Sequence, residues 1–391
     1  MKKFDIKLQP PSRLPLGAQK HNALQRRVFG AHPAYTRIER HVKLLARYGR
    51  PQKLLNIARA ELSRLRGDLV VPAFPYIYTI DIGNVCNLRC PLCPTGTNEL
   101  QRSQGFMRLA EYETILEKIK PYAVEVVMHN WGEPFLNPDF LDIVRATKRE
   151  GIGTAVSSNL NLVHRDQDYL HEVVKSGLDN LVASIDGTTH EVYAHYRRGG
   201  NLEHVLDNLR ELIRYKRAVG SPTPAVEWQF IVMKHNEHQM DDVRRLAAEI
   251  GVDRVRFTSA GMPFDDLKNE ALAAEWLPDN PDYRNYDPAI MNEKGYLYEE
   301  KCFYLYRAMT VNPRGEVAPC CAIHHEHWDF GNLLDAPLAE VWNNRHYQAS
   351  RALFSPRRRT FDDPLETACH ACPLFKYEAD AAGDRACGAQ H

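Results

Sequence analysis

From residue 74 onward, the chain alternates short apolar runs with longer amphipathic stretches. Six runs with β-strand character cover residues 76–82, 124–128, 154–157, 181–185, 226–233 and 254–258. Helical patterns cover residues 109–120, 138–150, 168–176, 202–217 and 237–250. Six such repeats predict parallel strands joined by helical crossovers. Because the repeats stop near residue 260, an α/β fold with an open, partial (β/α)6 TIM-like barrel fits better than a closed barrel of eight strands.

Three regions flank the predicted barrel, which spans 74–262. Residues 1–73 predict an N-terminal helical extension, because apolar residues recur at helical spacing between 35 and 66 and the polar positions there are basic. This extension either packs against the barrel or contacts an anionic partner such as a membrane surface. Residues 263–300 are rich in Pro, Asp and Asn and predict a linker. Residues 301–391 form a small, cysteine-bearing C-terminal domain.

Composition narrows the class of protein. A chain of 391 residues can bury a sizeable core, and a formal net charge of zero gives no global field that would favour nucleic acid. There is no long apolar run and no secretory signal, so we expect a soluble, cytoplasmic protein. Nine cysteines, several in clustered pairs, indicate metal or iron–sulfur binding more than a disulfide framework.

Cys86, Cys90 and Cys93 follow the first predicted strand at C-x3-C-x2-C spacing. Three thiolates can hold three irons of a cubane cluster and leave the fourth iron free to bind another group, unlike a four-cysteine electron-transfer cluster. A zinc site is the alternative, but zinc prefers four closed ligands and no fourth Cys or His lies close in sequence. The spacing, filled by Asn87-Leu88-Arg89, resembles the radical S-adenosylmethionine (radical SAM) superfamily. In that family the open iron binds S-adenosylmethionine (AdoMet).

The resemblance implies that the other strand ends form an AdoMet pocket. Gly132 and Glu133 would bind the α-ammonium group, although Trp131 stands where the family usually has a glycine. Ser184 and Arg197 would bind the carboxylate, with the adjacent arginine as an alternative. Ser157 and Asn159 would contact the ribose hydroxyls, with local capping of the next segment as the alternative role of Asn159. The run at 231–233, which includes Val232, would flank the adenine through backbone and apolar contacts, with a plain core position as the alternative. The residues expected to bind AdoMet are Gly132, Glu133, Ser157, Asn159, Ser184, Arg197 and Val232.

All six predicted strands end in a polar or glycine-containing segment. The carboxyl ends of parallel barrel strands share one rim, and chemistry in such barrels takes place there. The candidates for a catalytic base on or near this rim are Asp186, His235, Arg256 and Tyr304.

A second group of cysteines lies in the C-terminal region. The C-x12-G-x4-C pattern from Cys302 to Cys320 resembles the opening of the SPASM and twitch domains that are appended to radical SAM enzymes. Only Cys387 follows the C-x2-C pair at 369–372, which favours the shorter twitch type with one auxiliary [4Fe–4S] cluster. A structural zinc site is the alternative. The predicted auxiliary ligands are Cys302, Cys320, Cys369 and Cys372, with Cys321 and Cys387 as spare thiols.

Two further segments of this region carry local signals. Residues 312–317 predict a hairpin turn between two strands. The His-His-Glu-His run at 324–327 invites a metal interpretation, but it lacks helical ligand spacing, and we expect a solvated loop.

The resemblance implies that reductive cleavage of AdoMet gives a 5′-deoxyadenosyl radical that abstracts a hydrogen atom from a substrate. The extension at 1–73 does not look like the winged-helix leader-binding domain that peptide maturases often carry, so we expect a small, carbohydrate-like substrate that undergoes oxidation, epimerisation or elimination. A peptide or protein maturase is the alternative, and a non-catalytic iron–sulfur or zinc protein is a third. An electron donor such as flavodoxin or ferredoxin is implied as a partner.

Overall fold

An open sheet of eight strands lies at the centre of the molecule. A computed structural model describes residues 33–162, 167–298, 301–357 and 363–378 of the chain. The sheet order is β6-β5-β4-β3-β2-β1-β7-β8, and all neighbours are parallel except β7 and β8. The strands are β1 (Ile77–Ile80), β2 (Glu125–Val127), β3 (Gly153–Ser158), β4 (Asn180–Ser184), β5 (Ala225–Val232), β6 (Arg254–Ser259), β7 (Ala308–Val311) and β8 (Val317–Ala318).

Helices precede, separate and follow these strands. At the end of α9, Gly251 has a φ of +84° and its N–H donates to the carbonyl of Ala247, as the sequence pattern predicts for a helix that stops at glycine. The helices are α1 (Pro33–Tyr48), α2 (Pro51–Arg66), α3 (Pro94–Thr97), α4 (Leu109–Ile119), α5 (Phe140–Arg149), α6 (Gln167–Lys175), α7 (His190–Tyr196), α8 (Leu202–Ala218), α9 (Met240–Ile250), α10 (Glu270–Trp276), α11 (Pro288–Lys294), α12 (Tyr304–Arg307), α13 (Leu338–Trp342) and α14 (Arg345–Ala352).

The strands pack one face against the helices and turn the other toward a more polar interior. In β5 this alternation is complete, since every second side chain is fully buried and the residues between are partly exposed. Trp228, at the centre of the buried face, also donates its indole N–H to the carbonyl of Ile185 at 2.8 Å. A period of two residues is what a strand with two different faces requires.

The C-terminal region extends the same sheet. β7 pairs in parallel with β1, with Ala308 opposite Ile77, and β8 folds back as the second strand of the predicted hairpin. Gly315 lies in its turn with a φ of +85°. The partial barrel is confirmed, with two more strands than the six that the sequence indicates. The domain boundaries at 74 and 301 stay a prediction.

The segment at 263–300, which the sequence predicts as a linker, contains the helices α10 and α11. Trp276 and Met291 are buried and pack in one apolar cluster with Leu88 and Leu92 of the cysteine loop. The segment therefore covers the loop that carries the first three cysteines.

The described part of the N-terminal extension packs against the barrel. Arg40 of α1 pairs with the fully buried Glu125 at 3.0 Å, and Arg47 pairs with Asp179 at 3.1 Å. Lys53 of α2 is buried and donates to a backbone carbonyl at 3.0 Å. These contacts support the interpretation of the extension as helices packed on the main domain.

The outer face of α2 is apolar and basic. Leu54, Leu62 and Leu65 are exposed, and Arg59 and Arg66 lie on the same helix, also exposed. Within the described residues, none of the helices combines the length and the apolar character needed to cross a membrane.

Candidate active site

The loop after β2 is fastened to the cysteine loop after β1. The N–H of Glu133 donates to the carbonyl of Val85 at 2.9 Å. At Gly132 the two backbones approach so closely that an added Cβ would lie 1.9 Å from the carbonyl oxygen of Gly83. Only glycine permits this approach, so Gly132 fixes the position of the loop that carries the cysteines.

The three cysteines of this loop share one largely buried pocket. Burial, with Glu133, Cys90 and Cys93 as further causes, raises the pKa of Cys86 to about 12. Burial also raises the pKa of Cys90, against the lowering effect of Arg197. Thiolates in such a place need a bound cation to compensate their charge.

The spacing of these sulfur atoms separates a cluster from a single metal ion. Among the described residues, neither cysteine group brings three sulfur atoms within 4.8 Å of one another. Two thiolates on one zinc ion, each at about 2.3 Å, lie no more than about 4.6 Å apart. Both groups therefore fit a cluster of several iron atoms better than one zinc ion.

Glu133 is a buried carboxylate beside the cysteine loop. Its Oε2 accepts the N–H of Asn159 at 2.7 Å, and its Oε1 accepts the N–H of Phe135 at 3.1 Å. Burial raises its pKa to about 7, against these hydrogen bonds. A nearby cation such as an ammonium group would lower the pKa and favour the charged form.

Arg197 supplies the opposite charge. Its Nε lies 2.6 Å from Oδ2 of Asp186, and its Nη1 lies 3.9 Å from Sγ of Cys90. Arg198 is exposed, so the structure places Arg197, of the two arginines, at the cysteine loop. A carboxylate by Cys86 and a guanidinium by Cys90 suit the two charged ends of an amino acid.

Hydroxyl and amide groups line the pocket between these charges. The hydroxyls of Ser157 and Ser184 lie 3.3 Å apart on β3 and β4. Asn159 donates to Oδ1 of Asn87 at 2.9 Å and also approaches Sγ of Cys86 at 3.8 Å. The structure thus brings these predicted residues together, and their AdoMet contacts stay predictions.

Val232, in contrast, turns its side chain into the main apolar core, where it is fully buried. The preceding residue, Ile231, lies on the other face of β5, and its N–H donates to Oδ1 of Asp186 at 2.7 Å. Only the backbone of Val232 is placed for the predicted contact with adenine.

The second cysteine group lies in another buried pocket. Burial raises the pKa of Cys302, and the neighbouring Cys369 and Cys372 raise it further. Burial likewise raises the pKa of Cys320 well above its ordinary value, with Cys321, Cys372 and Cys369 as further causes. The four predicted ligands are therefore neighbours, whereas Cys387 lies outside the described residues.

Comparison with protein families agrees with this geometry. Residues 80–247 match the family model described as the radical SAM superfamily, and residues 302–373 match SPASM, an iron–sulfur cluster-binding domain. The chain therefore carries a radical SAM domain followed by a SPASM domain. Its cofactors are accordingly [4Fe–4S] clusters and AdoMet, and the three-cysteine loop lies within the radical SAM match. The number of auxiliary clusters stays a prediction from the four neighbouring cysteines.

Similar proteins come from several bacteria and an archaeon. A PqqA peptide cyclase of Gluconobacter oxydans is 26% identical over 81% of this chain and 87% of its own. A mycofactocin maturase of Mycobacterium ulcerans is 23% identical over 76% and 80%. A cofactor-modifying protein for a tungsten-containing aldehyde ferredoxin oxidoreductase of Pyrococcus furiosus is 25% identical over 70% and 82%.

Solved structures share the fold. SuiB of Streptococcus suis, bound to its precursor peptide SuiA, superposes with a TM-score of 0.57 at 16% identity, covering 78% of this chain and 73% of that chain. The open sheet of this chain therefore has the same fold as SuiB.

The four candidate bases lie in different surroundings. Asp186 is fully buried and paired with Arg197, so it holds the arginine rather than standing free. Arg256 binds Glu227 and Gln229 within the barrel at 2.5 Å each. Burial lowers the pKa of His235 to about 4.

The fourth candidate, Tyr304, belongs to the second cysteine group. Its hydroxyl lies 3.3 Å from Sγ of Cys321. The structure thus separates the candidates, and the identity of the base stays a prediction.

Sequence patterns did not identify two buried ionisable side chains, Asp81 and Arg102. Asp81, at the end of β1, accepts the N–H of Trp131 at 3.1 Å, and burial raises its pKa to about 7. Arg102 forms a two-pronged pair with Asp329 at 2.8 and 2.9 Å. The partners are 50 or more residues apart, so no local spacing signals them.

The prediction of a solvated loop at 324–327 is wrong for its first half. His324 and His325 are 3% and 6% exposed, because they pack beside Trp131 and Arg102.

Proposed function

We propose that this radical SAM enzyme modifies a peptide. The observation that carries the proposal is the alignment with the PqqA peptide cyclase, which spans 336 residues and most of both chains. A second relative, aligned over 323 residues, is a maturase. These relatives favour the peptide alternative over a carbohydrate-like substrate.

AdoMet, when reductively cleaved at the first cluster, supplies a 5′-deoxyadenosyl radical that takes a hydrogen atom from the substrate. In our proposal Glu133 binds the ammonium end of AdoMet and Arg197 binds its carboxylate. Asp186 keeps the guanidinium in place through its 2.6 Å ion pair. Ser157 and Asn159 orient the ribose between these two charges.

The apolar cover over the cysteine loop excludes water from this pocket. Leu88, Leu92, Trp276 and Met291 are each at most 6% exposed. A dry pocket strengthens the charge pairs that position AdoMet and protects a reactive intermediate from solvent.

We propose that the second cysteine group exchanges an electron with the substrate or the first cluster. It is buried, and β7, which pairs with β1, follows directly after α12 in this part of the chain. Four thiolates leave no open iron, which suits electron transfer. Flavodoxin or ferredoxin is the class of donor that we propose for the first cluster.

An open sheet also suits an extended substrate. Its edge strands are β6 and β8, so the interior is not enclosed by strands on every side. A peptide segment can then approach the rim from the side, while a closed barrel admits substrates only from its end.

The experiment is anaerobic turnover with reduced, cluster-loaded protein. Synthetic peptides copied from short reading frames beside the gene are compared with monosaccharides and nucleotide sugars. We expect peptide, and not sugar, to accelerate formation of 5′-deoxyadenosine. Acceleration by a sugar alone would contradict the proposal and favour a small, carbohydrate-like substrate.

Contact of the N-terminal extension with a membrane surface is a further proposal. Exposed leucines beside exposed arginines on α2 are what an interfacial helix presents to anionic lipid. Flotation with phosphatidylserine vesicles tests it, and equal binding by a Leu62→Ser, Leu65→Ser variant would contradict it.

A further inference from the structure

Asp265, His324 and His325 form a group of donor atoms that neither cysteine group includes. We propose that these three residues bind a divalent transition-metal ion at a site separate from both clusters. One ligand atom of each lies within 4.8 Å of the other two. The inference does not rest on the peptide substrate.

Each ring nitrogen of His325 faces an oxygen atom of another side chain. Its Nδ1 lies 2.8 Å from Oε1 of Gln101, and its Nε2 lies 2.7 Å from Oδ2 of Asp265. A neutral imidazole carries a single N–H, so one ring nitrogen must face an oxygen acceptor with its lone pair. If Nδ1–H donates to Gln101, a metal ion near Nε2 and the carboxylate satisfies both.

Gln101 has the character of a residue that orients a metal ligand. Its φ of +47° is unusual for any residue other than glycine, and it holds the side chain amide against Nδ1 of His325. Histidines that bind metals commonly donate their second N–H to such an acceptor, which fixes the ring orientation.

His324 completes the group from the other side. Its Nε2 lies 3.5 Å from the same Oδ2 of Asp265. The ring is buried and also lies against the backbone of Ala322. Trp131 packs edge-on against this ring, with 5.6 Å between ring centroids. Two buried imidazoles thus converge on one carboxylate oxygen.

The donor set indicates the class of metal. Two imidazole nitrogens and one carboxylate oxygen suit zinc and other late first-row divalent ions, while magnesium and calcium prefer oxygen alone. Three protein ligands leave a coordination position open, as in catalytic rather than structural zinc sites. Asp265 is 56% exposed, so that position is reachable from solvent.

The position of these three residues indicates what a bound metal ion could do. Trp131 directly precedes Gly132 of the AdoMet pocket, and His324 follows Cys320 and Cys321 by only a few residues. A metal ion here would lie beside Trp131 of the loop after β2, and its ligand His324 is close in sequence to the second cysteine group. Its open position can hold an oxygen or nitrogen atom of a substrate beside the AdoMet pocket.

The test uses the full-length, cluster-loaded protein and zinc as the probe. The protein is equilibrated anaerobically with Zn²⁺ and desalted, and zinc and iron per chain are measured by mass spectrometry. We expect about one zinc per chain with unchanged iron. X-ray absorption should show nitrogen and oxygen at about 2.0–2.1 Å and no sulfur shell near 2.3 Å.

Three variants and one control decide the assignment. His324→Ala, His325→Ala and Asp265→Asn should each lose most of the zinc and keep their iron. His327→Ala, an exposed neighbour in the same run, should keep both. Asp265→Asn alters a half-exposed side chain, so a loss of zinc there does not reflect a collapsed core. Equal zinc in all four variants and the wild type, or a sulfur shell, would overturn the proposal.

Discussion

Gly132→Ala tests whether the contact between the loops after β1 and β2 positions the first cluster. The added Cβ would lie 1.9 Å from the carbonyl oxygen of Gly83 and 2.8 Å from that of Val85, whereas real Cβ atoms rarely come closer than 3.0 Å. Both neighbours are backbone atoms, so the loop must retreat by about 1 Å. The hydrogen bond from Glu133 to Val85 would break with that movement.

The expected cost is about 1–3 kcal/mol of folding stability, which is typical of overpacking. A displacement of about 1 Å at the reacting groups also lowers a rate by about 10²-fold. The assay is formation of 5′-deoxyadenosine per bound cluster, with thermal unfolding measured alongside. Gly105→Ala is the matched control, since nothing lies within 4 Å of an added Cβ there. A Gly132→Ala enzyme as fast and as stable as this control would refute the reasoning.

Three further changes probe the site and its support. Asp186→Asn leaves the buried Arg197 without its counter-charge, so the free energy of unfolding should fall by about 3–5 kcal/mol in urea titrations; a smaller change than Asp207→Asn, on the exposed surface, would contradict this. His129 accepts the N–H of Ser157 at 3.0 Å, and burial lowers its pKa to about 4. The unfolded chain therefore takes up a proton at His129 below about pH 6.5 while the folded protein does not, so the contribution of His129 to stability falls as the pH is lowered. Between about pH 7.5 and 5.5 the wild type should lose about 1 kcal/mol relative to a His129→Gln variant, whatever the other buried groups contribute to both proteins. Cys302→Ala should lower the iron content and still permit some 5′-deoxyadenosine formation; unchanged iron would assign the ligand role to Cys321 instead.

The barrel could be predicted from sequence because each of its six strands coincides with a short apolar run of the chain. The alternation in β5 and the glycine after α9 are signals within a few residues, and the structure reproduces both. The hairpin of β7 and β8 could be predicted, but its place in the sheet could not, because β7 pairs with β1 from about 230 positions away in the sequence. The two helices within 263–300 were missed because each has only seven residues and the segments around them are rich in Pro, Asp and Asn, which resemble a linker in composition.

In the candidate site, too, residues with local sequence signals could be predicted, whereas contacts between distant residues could not. Cys86, Glu133 and Arg197 follow strands in recognisable order, so strand-end reasoning brings them together. The pairing of Asp265 with His324 and His325 joins residues about 60 positions apart. Only the tertiary packing of the segment at 263–300 onto the rim reveals it, which is why a histidine run first suggests a solvated loop.

The measurement that tests the account most directly is transfer of deuterium from a peptide substrate into 5′-deoxyadenosine. Reduced, cluster-loaded enzyme is incubated with AdoMet and peptides deuterated at their side chains. We predict labelled 5′-deoxyadenosine, and none from a Cys86→Ala, Cys90→Ala, Cys93→Ala variant that retains its auxiliary iron. Label that arises only from a deuterated sugar, or label that survives in the triple variant, would contradict a peptide-modifying radical SAM enzyme.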